Sequence, residues 1–328
     1  MDANVTSPIS IDAEQAQKQS AELTILGAGA WGTALASLVE KNNHTVCLWS
    51  RRGDISLADA VKDAHVILSA VSMKGVPSVA AQLKKLNIPP ETIIVTATKG
   101  LDPETTRTPS QIFHDTFPDN PVVVLSGPNL SKEIERGLPA ATVAASSHPE
   151  AAEAVQYLFS SDTFRVYSSP DPLGAELGGT LKNVIAIAVG ICEGLDLGSN
   201  ARSALMTRAL PEMMRIGTHL GGQAETFIGL SGLGDMLATC TSVLSRNYRV
   251  GYGLAQGKSL DQILEELGST AEGVNTTNVL VKIANREGIP APISRQVYRL
   301  LNGKITPQEA VEALMERDLK AEACLLTE

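Results

Sequence analysis

Two lysines, a carboxylate and one arginine cluster stand out in this sequence as groups that could move a proton or hold an anion. Lys182 lies in Glu176-Leu-Gly-Gly-Thr-Leu-Lys182-Asn183, the opening of a long apolar stretch. On a helix, Gly178, Gly179 and Ala186 fall four before, three before and four after it, all on its own face. Small neighbours predict a cleft above the ammonium group, and the surrounding Leu and Ile positions predict partial desolvation. Desolvation lowers a lysine pKa and suits it to acid–base work. The alternative is a lysine that snorkels out of a buried helix.

Gly232-Leu-Gly-Asp235-Met-Leu-Ala-Thr239 places Asp235 and Thr239 one helical turn apart. Shortly after come Ser245, Arg246 and Asn247, hydroxyl, guanidinium and amide together near a predicted helix start. Such a set can cradle a phosphate, although a simple N-cap explains Ser245 equally well. Two more polar segments close predicted strands: Thr96-Ala-Thr-Lys99-Gly100 and Ser126-Gly127-Pro128-Asn129-Leu130-Ser131. The carboxyl ends of strands are where doubly wound sheets bind ligands. Taken alone, Lys99 reads as an exposed lysine.

A dinucleotide is the ligand that the N-terminal segment suits. Leu23-Thr-Ile-Leu26 runs into Gly27-Ala28-Gly29-Ala30-Trp31-Gly32 and then an apolar helix. The glycines permit a tight turn, close approach of a pyrophosphate and close helix–sheet packing. The helix N-terminus adds amides and a positive dipole end. After the second strand stand Arg51 and Arg52, where an NAD-selective site usually carries an acidic residue. A guanidinium can pair with a 2′-phosphate, so NADPH is expected to be accepted or preferred. The alternative is a solvated pair of charges in a loop.

The elements that must position these groups are legible as pattern. Leu23–Leu26, Thr45–Trp49, Val66–Val71, Ile93–Ala97, Val122–Leu125, Thr142–Ala145 and Phe164–Tyr167 read as strands. Helix-compatible stretches such as Gly32–Lys41, Val76–Leu86 and Glu150–Phe159 lie between them. Continuous apolar strands imply a sheet covered on both faces, hence a doubly wound, mostly parallel α/β layer. Beyond Ser168-Ser-Pro-Asp-Pro172 strand signals fade, and Glu176–Glu193, Ala201–Gly217, Leu260–Leu267, Thr276–Glu287 and Pro307–Glu316 look helical. The expected organisation is a flexible extension over residues 1–21, a dinucleotide-binding domain over 22–169 and a helical substrate domain over 170–328.

Composition narrows the partners. With 27 basic and 36 acidic residues the net charge is −9, which argues against nucleic acid or an anionic membrane as main partner. The polar N-terminus lacks a signal-peptide pattern. Cys47, Cys192, Cys240 and Cys324 are scattered with no Cys-x-x-Cys pair, which fits a reducing, cytoplasmic compartment and no metal.

In order along the chain, Gly27-Ala-Gly-Ala-Trp-Gly-Thr-Ala34, Thr98-Lys99-Gly100, Ser126-Gly127-Pro128, Leu181-Lys182-Asn183-Val184, Gly232-Leu-Gly-Asp235, Ser245-Arg246-Asn247 and Ala271-Glu272-Gly273 resemble the NAD(P)-dependent glycerol-3-phosphate dehydrogenases. The resemblance runs from about Leu23 to Arg317. It implies a Rossmann domain followed by an all-helical domain like that of 6-phosphogluconate dehydrogenase. It implies interconversion of sn-glycerol 3-phosphate and dihydroxyacetone phosphate with NAD(P)(H), supplying glycerol 3-phosphate for glycerophospholipid synthesis, in a homodimer. On the same basis Lys182 is the proton acceptor. Lys99, Gly127, Asn129, Asn183, Asp235 and Thr239 join it around the substrate, and Ser245, Arg246 and Asn247 hold the phosphate. Gly27, Gly29, Ala30, Trp31, Gly32, Arg51, Arg52, Lys99, Ser131, Arg246, Thr270 and Glu272 face the cofactor.

The chain departs from the family at the short stretch between Arg52 and Val66, at Asn129-Leu130-Ser131 after Gly127-Pro128, and at Thr270. Two other readings compete. A β-hydroxyacid dehydrogenase or ketoacid reductase shares the lysine-bearing helix but has no use for Ser245-Arg246-Asn247. A redox sensor that binds NADP(H) without turnover has no use for Lys99, Lys182 and Asp235 together.

Overall fold

The computed structural model describes residues 23–268, 270–319, 321 and 322; the extension expected over residues 1–21 lies outside them. Strands and helices alternate at first: β1 (Leu23–Leu26), α1 (Ala30–Lys41), β2 (Val46–Trp49), α2 (Leu57–Val61), β3 (Val66–Ser69), α3 (Val76–Leu83) and β4 (Ile93–Thr96). There follow α4 (Pro109–Thr116), β5 (Val122–Ser126), α5 (Ser131–Glu135), β6 (Ala140–Ala145), α6 (Pro149–Phe159) and β7 (Phe164–Ser169). The seven strands form one sheet in the order β2-β1-β3-β4-β5-β6-β7. β1 pairs in parallel with both β2 and β3, so Leu26 lies between Trp49 and Ser69. The strand order reverses at β1, which puts the loop after Leu26 at the crevice where such sheets take their ligands.

The sheet is mostly parallel, with one antiparallel pair, β5 with β6. Residues 127–139 leave β5 at its carboxyl end and return at the same end, carrying only the five-residue α5. A parallel return needs a full crossover. β1, β3 and β5 are buried along their whole length, whereas β7 alternates buried Phe164 and Val166 with exposed Arg165 and Tyr167. That alternation belongs to an edge strand with one face in water.

After β7 the described residues contain only helices and loops. These are α7 (Pro172–Gly194), α8 (Gly198–His219), α9 (Ala224–Phe227), α10 (Asp235–Cys240), α11 (Arg246–Ala255), α12 (Leu260–Leu267), α13 (Glu272–Arg286), α14 (Pro292–Leu301) and α15 (Pro307–Met315). A one-turn π-helical segment, Leu230–Gly234, leads straight into α10. Asp171 starts α7 by accepting the Gly174 N–H at 2.9 Å. Every residue from Gly174 to Cys192 is buried. A helix apolar all round must be wrapped by others, and α8, α10, α11, α13 and α14 wrap this one. Each Leu, Ile or Val so buried contributes roughly 1.5–3 kcal/mol relative to exposure. α7 has the length and hydropathy of a membrane span, but it is the buried core helix here. The helices α2, α4 and α14 are not among the stretches expected from the sequence pattern, although α14 buries Ile293, Val297 and Leu300 along one face.

Candidate functional site

The loop after β1 is shaped for close backbone contact. Gly27 has φ +121°, and a Cβ there would come 2.9 Å from the Ala70 carbonyl oxygen. A Cβ on Gly32 would lie 1.8 Å from the Gly27 oxygen, so this turn admits only glycine at both positions. α1 begins on Gly29, which is exposed and meets nothing within 4 Å, with no side-chain cap and no acidic residue in its first turn. Free amides, the helix dipole and open space on one side fit the pyrophosphate of a dinucleotide. Exposed Ala30 and half-buried Trp31 form the first turn. Arg51 and Arg52 are exposed just past β2, and among the described residues neither guanidinium has a protein partner.

Across the crevice, at the junction of β4, β5, α7 and α10, one carboxylate bridges two lysines. Lys182 Nζ lies 2.5 Å from Asp235 Oδ1, and Lys99 Nζ lies 2.6 Å from Asp235 Oδ2. Lys182 also donates to Thr239 Oγ1, one turn along α10, and Lys99 donates to the Gly127 carbonyl at 3.2 Å. Side-chain exposures of 22% for Lys99, 8% for Lys182 and 2% for Asp235 show where solvent reaches the cluster: from the Lys99 side. Burial pushes the Lys182 ammonium down from 10.5 to about 8; the Asp235 charge opposes this, and the Lys99 charge adds to it. A lysine near that value gains and loses a proton around neutral pH. The neighbouring Cys240 thiol is pushed up to about 12 by burial, so it stays a thiol.

The glycines flanking Lys182 leave no open cleft. The position of a Gly178 Cβ is taken by the Ser231 carbonyl, 2.8 Å away, and that of Gly179 by Ser126 Oγ and the stem of Lys99. They let the π-helical turn and Lys99 press against α7 and bring Asp235 to Lys182. The ammonium is desolvated by close packing, not by a pocket.

A second group continues along α7. Asn247 Nδ2 donates to Asn183 Oδ1 at 2.9 Å, and Asn247 Oδ1 accepts the Gly273 N–H at 2.9 Å. Ser245 is the N-cap of α11: its hydroxyl accepts the Tyr248 N–H at 3.2 Å, as the capping alternative has it. Exposed Arg246 donates from Nη1 to the Thr270 carbonyl at 2.9 Å, while the Thr270 side chain is exposed. Glu272 accepts the Met73 N–H at 3.4 Å, tying the start of α13 to the loop after β3. Its carboxyl is pushed up by burial, against the Met73 bond and the Arg246 charge.

Asn129 is turned elsewhere. Its Nδ2 donates to the Ala141 carbonyl at 3.1 Å and its Oδ1 accepts the Thr142 hydroxyl at 2.8 Å, so both ends of the amide hold β6. Ser131 is the first residue of α5, with its side chain half-buried. The structure adds contacts to which the sequence motifs give no role. Thr180 Oγ1 accepts the Gly100 N–H at 3.0 Å, and Asn275 Nδ2 donates to the Leu101 carbonyl at 2.9 Å. Ser126 Oγ is buried beside Lys99 with no partner. Nothing in a linear sequence signals contacts separated by dozens of residues. Among the described residues, no group of three or more His, Cys, Asp or Glu side chains could hold a metal ion.

Comparison with known proteins agrees along the chain. The family model for the NAD-dependent glycerol-3-phosphate dehydrogenase N-terminus matches residues 22–56 and 52–152, and that for the C-terminus of the same family matches 171–312. A glycerol-3-phosphate dehydrogenase [NAD(P)+] of Acaryochloris marina is 70% identical over 302 residues, 92% of this chain and 97% of that one. The protein of that name from Synechocystis is 66% identical over 301 residues, 92% and 95% of the two chains. The crystal structure of a glycerol-3-phosphate dehydrogenase from Coxiella burnetii superposes with a TM-score of 0.87 at 35% identity, covering 90% of this chain and 99% of that one.

Proposed function

The chain belongs to the NAD-dependent glycerol-3-phosphate dehydrogenase family, and from that premise we propose that it interconverts sn-glycerol 3-phosphate and dihydroxyacetone phosphate using NADH or NADPH. The observation that carries this reading is the buried Lys99–Asp235–Lys182 bridge, with its mid-range lysine pKa, facing the crevice of a dinucleotide-binding sheet. Residues 22–169 serve as the nucleotide domain and 170–328 as the substrate and catalytic domain. Gly27, Gly29, Ala30, Trp31 and Gly32 hold the pyrophosphate side of the cofactor, Arg51 and Arg52 its adenosine side, and Glu272 and the Thr270 segment its other end. When bound, the nicotinamide takes or supplies the hydride.

Proton movement belongs to the protein. In the oxidative direction neutral Lys182 Nζ accepts the hydroxyl proton as the carbinol becomes a ketone. In reduction the ammonium returns that proton to the forming alkoxide oxygen. Asp235 keeps Lys182 and Lys99 pointed at one place and lets Lys182 hold a proton that burial alone would strip. Lys99, carrying its charge at the solvent side of the cluster, orients the substrate oxygens. Asn183 and Asn247 line the path from Lys182 to Arg246, which with Ser245 neutralises the substrate phosphate. Asn129 acts on the loop through β6, as its two hydrogen bonds support.

Glycerol 3-phosphate made this way serves glycerophospholipid synthesis, in a homodimer. The free thiols Cys47, Cys192 and Cys240 agree with a reducing compartment. The test is direct: follow the near-ultraviolet absorbance of NADH or NADPH with dihydroxyacetone phosphate, with unphosphorylated dihydroxyacetone and with 2-ketoacids. Rapid oxidation with the phosphorylated ketone alone supports the reading. Preference for a ketoacid, or binding of NADPH without turnover, overturns it.

A further inference from the structure

We propose that Thr180 is a positioning residue for Lys99, acting through the backbone amide of Gly100. This goes beyond the reading above and rests on it only in taking Lys99 as a substrate-orienting group. Lys99 is held by its backbone at both sides. Before it, the Thr98 hydroxyl donates to the Val71 carbonyl at 2.7 Å, and the Thr98 N–H reaches Thr96 Oγ1 at 3.3 Å. After it, the buried Gly100 N–H donates to Thr180 Oγ1 at 3.0 Å. Thr180 is fully buried and comes from α7, two residues before Lys182.

The peptide that Thr180 holds has little choice of shape. Gly100 has φ +151°, and a Cβ there would stand 2.9 Å from the Met73 Cβ. Lys99 then crosses α7 at the neighbouring position, Gly179, where an added methyl would lie 3.2 Å from the Lys99 Cε. So Gly179 gives the stem its track and Thr180 fixes the backbone from which the stem starts. One helix thereby sets both lysines against Asp235: Lys182 as its own side chain, Lys99 as a guest.

A valine at 180 keeps the branched shape but cannot accept a hydrogen bond. The Gly100 N–H would be buried without a partner, and the peptide would turn to find one. Lys99 Nζ would then leave Asp235 and the Gly127 carbonyl. A misplacement near 1 Å can cost about 100-fold in rate. Thr180→Val should therefore lower kcat/KM for dihydroxyacetone phosphate by about 10- to 100-fold at saturating NADPH. Thr180→Ser, which keeps the acceptor, should stay near wild type.

Lys99→Met separates positioning from a merely structural role. If Thr180 works through Lys99, Thr180→Val in the Lys99→Met background should change kcat/KM by no more than about twofold, the usual scatter of independent sites. An equal loss in both backgrounds, or no loss from Thr180→Val alone, overturns the proposal. Thr180→Ala, which also removes the acceptor, gives the same comparison if the valine variant fails to fold. A readout without turnover keeps this apart from the proposed activity. Competitive acetylation of Lys99, followed by peptide mass spectrometry, should rise severalfold in Thr180→Val and not in Thr180→Ser. Unchanged labelling overturns the proposal whatever the enzyme's substrate proves to be.

Discussion

Asp235→Asn isolates what the bridging carboxylate does for Lys182. In the wild type, burial lowers the Lys182 pKa to about 8 and Asp235 is the largest influence in the opposite direction. Without that charge, burial and the Lys99 charge face only the smaller influence of Cys240, so Lys182 titrates below about 8. A lysine whose folded pKa is depressed loses a proton on folding, so stability rises with pH between the folded value and the unfolded one. This gives the variant's penalty a ceiling. Once its folded pKa falls below 7, Lys182 simply folds neutral at pH 7. The wild-type value of about 8 is only one pH unit higher, so the added cost through Lys182 is at most about 1.4 kcal/mol. Above pH 8 the wild-type lysine is neutral too, and this part of the penalty disappears. Stranding a buried charge would instead cost about 3–5 kcal/mol. Urea unfolding of both proteins at pH 7 and pH 9 measures the difference. The gap should narrow by up to about 1.4 kcal/mol at the higher pH. Reduction of dihydroxyacetone phosphate at pH 7 should fall, because the ammonium that donates the proton is depleted. A gap of about 3–5 kcal/mol that is the same at both pH values would refute the reasoning.

Other outcomes follow from the same geometry. Replacing Arg51 and Arg52 together by Ala should weaken NADPH far more than NADH, measured by fluorescence titration, because only NADPH carries the 2′-phosphate; equal weakening removes them from cofactor choice. Arg246→Ala should raise the barrier measured by kcat/KM for dihydroxyacetone phosphate by about 1.5–3 kcal/mol and for unphosphorylated dihydroxyacetone much less, at saturating cofactor; equal losses would show that it does not read the phosphate. Glu176 is fully buried, caps α4 through the Ser110 N–H and hydroxyl, and is raised from 4.5 to about 7, chiefly by burial. Its folded pKa lies above the unfolded one, so its contribution is present below pH 4.5 and lost as pH rises to about 7. Glu176→Gln does not titrate, so its stability relative to wild type should improve by up to about 3 kcal/mol between pH 4 and pH 8 in thermal or urea unfolding; a flat difference contradicts this.

The sheet was readable because β1, β3 and β5 are buried on both faces and so consist of unbroken apolar residues, and the nucleotide loop because its glycines are required by backbone contact. The β5–β6 reversal was not, since nothing in Asn129-Leu130-Ser131 says that the chain returns at the same sheet end. That reversal is also why Asn129 bonds to β6. The small residues beside Lys182 are visible in the sequence and predict a cleft, but in the fold that space is filled. Glycine in a sequence announces close approach without saying what approaches, and here it is the Ser231 backbone and the Lys99 stem. The Thr180–Gly100 and Glu176–Ser110 bonds join residues 80 and 66 positions apart, a pairing that only the folded sheet and α7 create. Helices as short as the five-residue α2 expose too few turns for periodicity to mark them.

The central claim is that Lys182 exchanges the substrate proton, and the pH dependence of kcat/KM in both directions tests it most directly. With glycerol 3-phosphate and NAD(P)+, the account predicts a rise with pH through a midpoint near 8, as Lys182 loses its proton. With dihydroxyacetone phosphate and NAD(P)H, it predicts a fall through the same midpoint. Lys182→Ala should abolish both limbs and cut turnover by about 100- to 10,000-fold while cofactor binding persists. A midpoint at the ordinary lysine value, or profiles that survive in Lys182→Ala, would contradict it.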